Sequence, residues 1–322
     1  MQVRHILAAV IAAALLVAAP SFLPSWILFI LTLSLAKFMA VLAVALFLRA
    51  GLVTFGHALF YGVGAYTVGF ASKWFGVHEA LLLIPLGALT GALVAAVIGL
   101  VMARYRGVFF AMLNLAFSMI LYAILLKFYW VTGGTDGIAV QAPTILGSVP
   151  GRAVYRMTYY YLALAVAGIV IYVVYRFLAS PLGYFLKAIA DNEIRIEYSG
   201  ESVRRVIYAT YVLHGALGSM AGVLAAFTIR HIVPEDAFWL QSGEFVFIAL
   251  LGGYGSVPGP LLGAIAFEFI RTYAFKYAPY AWQMTLGVIM LFIILFQSGG
   301  LWAIYESLTA RFSRRVGGVE HA

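Results

Sequence analysis

The chain has 322 residues, 64% of them hydrophobic and 10% charged, with a mean hydropathy of +1.01. Soluble domains run to about a quarter charged residues and cannot bury this much apolar surface, so the composition is that of a polytopic membrane protein. The net charge of +8 sits in short connections beside apolar runs, not along an aromatic–basic groove, which argues against nucleic acid; the absence of cysteine excludes disulfides and thiolate metal sites.

Apolar runs able to cross or partly cross a bilayer fall at about 6–20, 26–48, 52–71, 81–102, 107–130, 158–178, 206–228, 242–252, 259–275 and 281–298. The expected fold is an all-α transmembrane helical bundle of about ten segments, forming a single domain over 1–322. The first run lacks a convincing cleavage site before Pro20 and Pro24, so it reads as a retained helix and not a signal peptide.

Gly51–Phe70 is apolar, yet Gly51, Gly56, Gly62, Gly64 and Gly69 interrupt it, and Thr54 and His57 share one depth. Two readings stay open: a tightly packed helix whose histidine is satisfied by a neighbour, or a segment that breaks to line a cavity. The spacings Ala58–Gly62 and Ala65–Gly69 give it a small face suited to touching another helix. Residues 131–157 are rich in turn formers (Gly133-Gly134, Asp136-Gly137, Pro150-Gly151) with apolar residues between them, and read as an ordered surface excursion.

The connection 180–205 carries a short helix that Asp191 or Asn192 can cap and that stops at Gly200. Ile194 and Tyr198 fall on one face, and the like charges Glu193 and Glu197 lie one turn apart. It reads either as a solvated loop with a weak Asp191–Arg195 pair, or as a helix docked on a partner that supplies cations and an apolar cleft. Segment 242–252 is about half a crossing and ends at Gly252, Gly253, Gly255, Pro258, Gly259 and Pro260, a break between two short helices. Two interrupted segments, one in each half, are the pattern of a midplane pathway between internal repeats.

Loop charge orients the stack. One side receives Arg4, Arg49, Arg104, Arg106, Arg176, Lys187, Arg195, Arg204, Arg205, Arg311, Arg314 and Arg315. The other receives Lys73, Arg152, Arg156, Arg230, Arg271 and Lys276. Twelve against six puts both termini and 179–205 in the cytoplasm, with 131–157 and 229–241 outside. Of the polar residues within apolar runs, Lys127 and Glu268 are expected to reach headgroups, Glu244 to enter a pathway, and His214 to bond between helices, while Lys37 and Asn114 should face the bundle interior, a wet cavity or the interface. None of the five lysines follows a glycine, and neither a nucleophile elbow nor a His-Glu-x-x-His pair occurs, so no catalytic residues are assigned.

Several motifs now fall in order: Gly56-His57-Ala58, Gly62-Val63-Gly64-Ala65-Tyr66-Thr67, Arg106-Gly107, Thr132 through Gly137, Ser180-Pro181-Leu182-Gly183, Asp191-Asn192-Glu193 through Gly200, and Glu244 followed by Leu251-Gly252-Gly253, Gly255-Ser256 and Gly259-Pro260. In these the chain resembles the inner-membrane permease subunits of branched-chain amino acid ABC importers, the LivM type, over about residues 30–300. The resemblance implies a second homologous permease subunit, two cytoplasmic ATPase subunits that carry the ATP, an extracytoplasmic substrate-binding protein, and no cofactor or metal on this chain. It implies a translocation path through Thr54, Gly56, His57, Gly62, Gly64, Tyr66, Glu244, Gly252, Gly253, Gly255 and Ser256. It makes 191–200 an ATPase-coupling helix, with Asp191, Asn192, Glu193, Arg195, Glu197 and Gly200, and gives Thr135 and Asp136 a part in docking the binding protein. The family also handles urea, short amides and small organic acids, and the departures at Val44, Arg49 and Met119 leave the substrate open. A stand-alone secondary transporter, the rival reading, would rely on buried charges, of which the sequence shows few.

Overall fold

The computed structural model describes residues 13–151, 154–296, 299–304 and 306–307. In chain order, α1 (Ala13–Phe22) precedes α2 (Ser25–Arg49), α3 (His57–Phe75), α4 (Ala80–Met102) and α5 (Gly107–Lys127). A one-turn α6 (Tyr129–Thr132) leads to the strand β1 (Ile138–Ala139), followed by α7 (Tyr155–Leu178), α8 (Pro181–Asp191), α9 (Glu193–Tyr198) and α10 (Val203–Ile229). Strand β2 (His231–Ile232) then precedes α11 (Trp239–Gly252), α12 (Gly259–Tyr277) and α13 (Trp282–Phe296). Five of these, α2, α4, α5, α7 and α10, are long and apolar enough to cross a membrane. The all-α expectation holds. The N-terminal part of the first apolar run, with Arg4, Arg152, Arg311, Arg314 and Arg315 of the charge count, lies outside the described residues.

A helix that is apolar on every face has to be surrounded by protein or lipid. α2 takes the first option: apart from the exposed Phe29, it is buried from Leu28 to Phe47. α10, α12, α7 and α11 pack around it. α4 and α5 take the second, presenting Leu89, Leu93, Val97, Val108, Phe109 and Met112 outward, as helices against acyl chains do.

Where α10 meets its neighbours, glycine sets the distance. A Cβ on Gly91 of α4 would lie 2.4 Å from the carbonyl oxygen of Gly215. Across the α3–α10 contact, a Cβ on Gly222 would lie 1.9 Å from the Tyr61 oxygen, and one on Gly64 1.9 Å from the Ser219 oxygen. Backbones touching this closely gain dispersion that lipid cannot replace. The small face expected at Gly62 and Gly69 does something else. Gly62 abuts Ala237, and Gly69 abuts Ile138 and Ile232, so the glycines receive a turn and a strand pair, while Ala58 and Ala65 on the same face meet α11 and α10 as expected.

The chain breaks at three places. α2 stops in a left-handed turn at Gly51 (φ +70°), with Gly51 N donating to Leu48 O at 3.1 Å and Leu52 N to Phe47 O at 3.0 Å. The glycines after it do not break α3, which runs continuously from His57 to Phe75. α10 ends at Arg230 in the left-handed region (φ +62°), and β2 then pairs antiparallel with β1, Ile138 opposite Ile232. Beyond β2 a 3-10 turn at Pro234–Ala237 dips inward, where Ser118 Oγ donates to Ala237 O at 2.7 Å. The segment 229–241, expected to lie wholly outside, is therefore a re-entrant turn in its second half. The third break is the one expected after Gly252: Gly253 (φ +93°) reverses the chain, and Ser256 Oγ accepts from Gly259 N to start α12.

The excursion 131–157 is ordered over its described residues. Its anchor is Glu79, which precedes α4 and accepts from Leu146 N (2.7 Å), Gly147 N (3.0 Å) and Thr144 Oγ1 (2.8 Å). These donors, Gly147 N–H foremost, hold the carboxyl below its ordinary range. Their contribution is present above the usual carboxylate pKa and is lost as pH falls through the lowered one. Amide-exchange protection of Leu146 and Gly147 should accordingly persist from neutral pH through the ordinary carboxylate range of about 4 and fall only below it; equal protection at pH ~2 would contradict the clamp. For the helix contacts, Gly222→Ala should cost at least about 1–3 kcal/mol by overpacking. Gly168→Ala, whose Cβ meets nothing within 4 Å, should stay within about 0.5 kcal/mol, as measured by thermal unfolding in detergent.

Candidate functional site

Three core helices bring charge to one place. Lys37 is the thirteenth of the 25 residues of α2, Glu244 lies in the first half of α11, and Glu268 and Arg271 are one turn apart on α12. Lys37 Nζ lies 2.5 Å from Glu244 Oε1 and 2.6 Å from Glu268 Oε1. Arg271 Nη1 closes the cluster at 3.2 Å from Glu244 and 3.8 Å from Glu268. Lys37 and Glu268 are only 3% and 4% exposed at their side chains, so each takes its counter-charge from within the cluster and not from water.

A cavity of about 430 Å³ opens against this cluster. Lys37, Glu268, Arg271, Asp236, Gln241 and Tyr61 give it polar walls; Phe29, Leu33, Phe275 and Trp282 give it apolar ones. Glu244 also borders a second, mainly apolar cavity of about 460 Å³ with Leu240, Phe247, Leu286 and Met290. Charged walls beside apolar ones at mid-helix depth suit a small amphoteric solute.

The expected pathway residues divide. Glu244 sits in the cluster. His57 is sealed in: its Nδ1 lies 3.0 Å from His214 Nε2, and the rings of Phe47, Phe60 and Tyr211 surround His214. One proton lies between the two nitrogens, so the pair is a helix-to-helix hydrogen bond, the role expected of His214. Thr54 is buried and accepts from Gly56 N at 3.2 Å, Tyr66 is buried, and Gly62 and Gly64 serve close packing. Gly253 and Gly255 line a different cavity of about 380 Å³, with Tyr254, Gly299 and Trp302; Gly252 packs on the Gly259 carbonyl and Ser256 caps α12. Among the described residues His57 and 252–255 therefore share no cavity, because aromatic rings close around the first and the 253–258 turn lies at the far end of α11.

Two charges also move. Glu268 does not reach headgroups but pairs with Lys37 and Arg271, and Arg271 is not in an outer loop but pairs with Glu244 and Glu268. Their i,i+3 spacing on an apolar run was the signal available in the sequence. Asp236 gave none, since only the inward dip of its turn brings it to the cavity. Lys127, at the end of α5, is exposed as expected.

At the opposite end of α10, Asn192 caps α9, its Oδ1 accepting from Arg195 N at 3.2 Å. Asp191 is instead the last residue of α8. Ile196 is buried, whereas Ile194 (64%) and Tyr198 (89%) are exposed together with Glu197 and Gly200. Glu193 already has a cation: Arg106 Nε donates to both its oxygens, at 2.9 and 3.0 Å. At the β1–β2 end, Thr135 and Asp136 are exposed, and Asp136 accepts from Tyr129 Oη at 2.8 Å. Among the described residues no group of three histidine or carboxylate side chains could hold a metal.

Removing Lys37 would leave two buried carboxylates sharing Arg271. Lys37→Met should cost about 3–5 kcal/mol, read as a lowered melting midpoint in detergent. Adding Glu268→Gln should recover part of the loss; no recovery would show that the two groups are not coupled.

Comparison with known proteins places this architecture. The family described as "Branched-chain amino acid transport system / permease component" matches residues 26–295. The Escherichia coli high-affinity branched-chain amino acid transport system permease protein LivM is 28% identical over 273 residues, covering 78% of this chain and 64% of that protein, so the chain spans less than two thirds of its length. The probable LivM of Methanocaldococcus jannaschii is 28% identical over 75% of this chain and 73% of its own. Escherichia coli LivH is 24% identical over 76% and 83%. No solved structure matches. The chain belongs to the family of branched-chain amino acid transport permeases.

Proposed function

We propose that this chain is the permease subunit of an ATP-driven importer of branched-chain or closely related small amino acids. The observation that carries the reading is a charge-lined cavity at mid-helix depth in a member of this permease family. A second permease subunit would complete the pore; that E. coli has both LivM and LivH, each similar to this chain, supports such a pair. Two cytoplasmic ATPases would bind the ATP, and an extracytoplasmic binding protein would deliver substrate near Thr135 and Asp136. The chain would sit in the cell inner membrane with ten segments and both termini inside.

An inverted internal repeat fits the pattern of breaks. α2 and α3 flank the turn at 50–56, and α10 and α11 flank the re-entrant turn at 230–238. The starts of α3 and α11 meet, Ala58 N donating to Ser242 Oγ at 2.8 Å. Two helices that begin at one interior point, the second of them only 14 residues long, fit the arrangement expected of alternating access.

On this reading α9 couples the bundle to an ATPase through Ile194, Tyr198 and Glu197, with Asp191, Arg195 and Gly200 at its margins and Glu193 holding the helix in place. Urea, short amides or small organic acids are the alternative cargoes. A stand-alone secondary transporter gains support from one feature, the four-charge cluster, because ion-coupled carriers work through such groups. Reconstitution separates the two: leucine uptake by this chain with its permease partner but without ATPases would favour the carrier.

In the full complex, Tyr198→Asp with Ile194→Asp should reduce uptake at least tenfold and weaken ATPase retention on purification. Arg106→Ala should give a smaller loss. Wild-type uptake by the double variant would remove α9 from coupling.

A further inference from the structure

We infer that the 430 Å³ cavity is the seat of a zwitterionic amino acid in transit, with Arg271 holding its carboxylate, Asp236 its ammonium, and Phe29, Leu33 and Trp282 its aliphatic side chain. The inference rests on the permease reading and assigns residues to it.

The charges around the cavity are not equivalent. Lys37 is consumed by Glu244 and Glu268, and at 3% exposure it has no face left for a ligand. Arg271 makes both of its ion pairs through Nη1, lies 5.5 Å above the Trp282 ring, and remains 34% exposed on the cavity wall. A guanidinium presents a fork of donors, and one edge of this fork is left for a second carboxylate. Asp236 is the complement. Its Oδ2 accepts from Val233 N at 3.2 Å, and it makes no ion pair among the described residues. Two cations, Lys37 and Arg271, thus face three carboxylates, Asp236, Glu244 and Glu268, and the one without a cation borders the cavity. A molecule with one ammonium and one carboxylate satisfies both open partners and leaves the internal pairs intact; an amine or a carboxylate alone satisfies one.

An entrance supports the assignment. A larger cavity of about 600 Å³ lies toward the β1–β2 end, and among the described residues its walls include Arg156 and Arg230 but no acid. Phe29 lines both cavities, and the Thr228–Arg230 turn borders them, Thr228 and Arg230 on the outer one and Ile229 on the inner. A carboxylate-bearing solute would be drawn first to the two arginines and then pass Phe29 to reach Arg271.

Because the chain has no cysteine, Thr272→Cys places its one thiol on the cavity wall. In the complete complex in proteoliposomes, labelling of that thiol by a methanethiosulfonate reagent, above the background of the unsubstituted complex, should slow at least fivefold in saturating leucine. Isoamylamine or 4-methylpentanoate at the same concentration should protect at least tenfold less well. Arg271→Gln should lower leucine uptake at least tenfold with the complex still assembled, and Arg271→Lys should restore part of it. Unaltered labelling in leucine, equal protection by either one-ended analogue, or wild-type uptake by Arg271→Gln each overturns the seat. Absence of leucine uptake by the wild-type complex counts instead against the branched-chain permease reading, since protection of the thiol is read without transport.

Discussion

The structure hangs on one ammonium group. Lys37, midway along a helix that is buried almost all round, meets carboxylates from α11 and α12, and each glutamate makes its shortest ion pair with it. The cluster therefore fixes where α11 and α12 sit against α2. Separating them would leave an ion in an apolar medium at a cost of several kcal/mol, so the three helices move as a unit or change partners together. Arg271 is the less committed member, with the longest contacts and the greatest exposure, and it is where a ligand can enter the exchange without unseating the rest.

Around that unit the packing is set by glycine. At Gly64, Gly91 and Gly222 an added methyl would fall within 2.4 Å of a neighbouring backbone oxygen, so α10 is held at backbone contact with α3 and α4. These contacts are shape-determined and leave little room for sliding. By contrast α4 and α5 present broad apolar faces outward; α4 rests on α10, and α5 on α3 and the 234–237 turn.

Much of this was legible in the sequence. Most long apolar runs coincide with helices, five of them long enough to cross a membrane, because length and hydropathy suffice to mark such a segment; the run at 52–71 is displaced to 57–75 by the turn at Gly51. The break after Gly252 was legible because Gly253 and Pro258 interrupt a helix there, and Pro260 is suited to the first turn of a new one. What could not be read was which polar residues meet. Glu268 looked like a headgroup-facing residue because its distance to Lys37 depends on how α12 packs across α2. The re-entrant turn at 234–237 was hidden for the same reason, since its inward course is dictated by Gly62 and Ser118 and not by its own composition. Glycines 62, 64 and 69, read as possible interruptions, are tolerated within α3 because each makes room for something else.

The link between Arg106 and Glu193 has a mechanical corollary. Arg106 stands at the elbow between α4 and α5, donating also to Ala103 O and Tyr105 O, and its guanidinium grips the first residue of α9. The protruding Ile194 and Tyr198 are thus the handle of a crank whose pin is set in the elbow. A tug on that handle is shared between the α8 stem and the hinge of two lipid-facing helices, which turns a local displacement at one end of the molecule into a tilt of its outer wall.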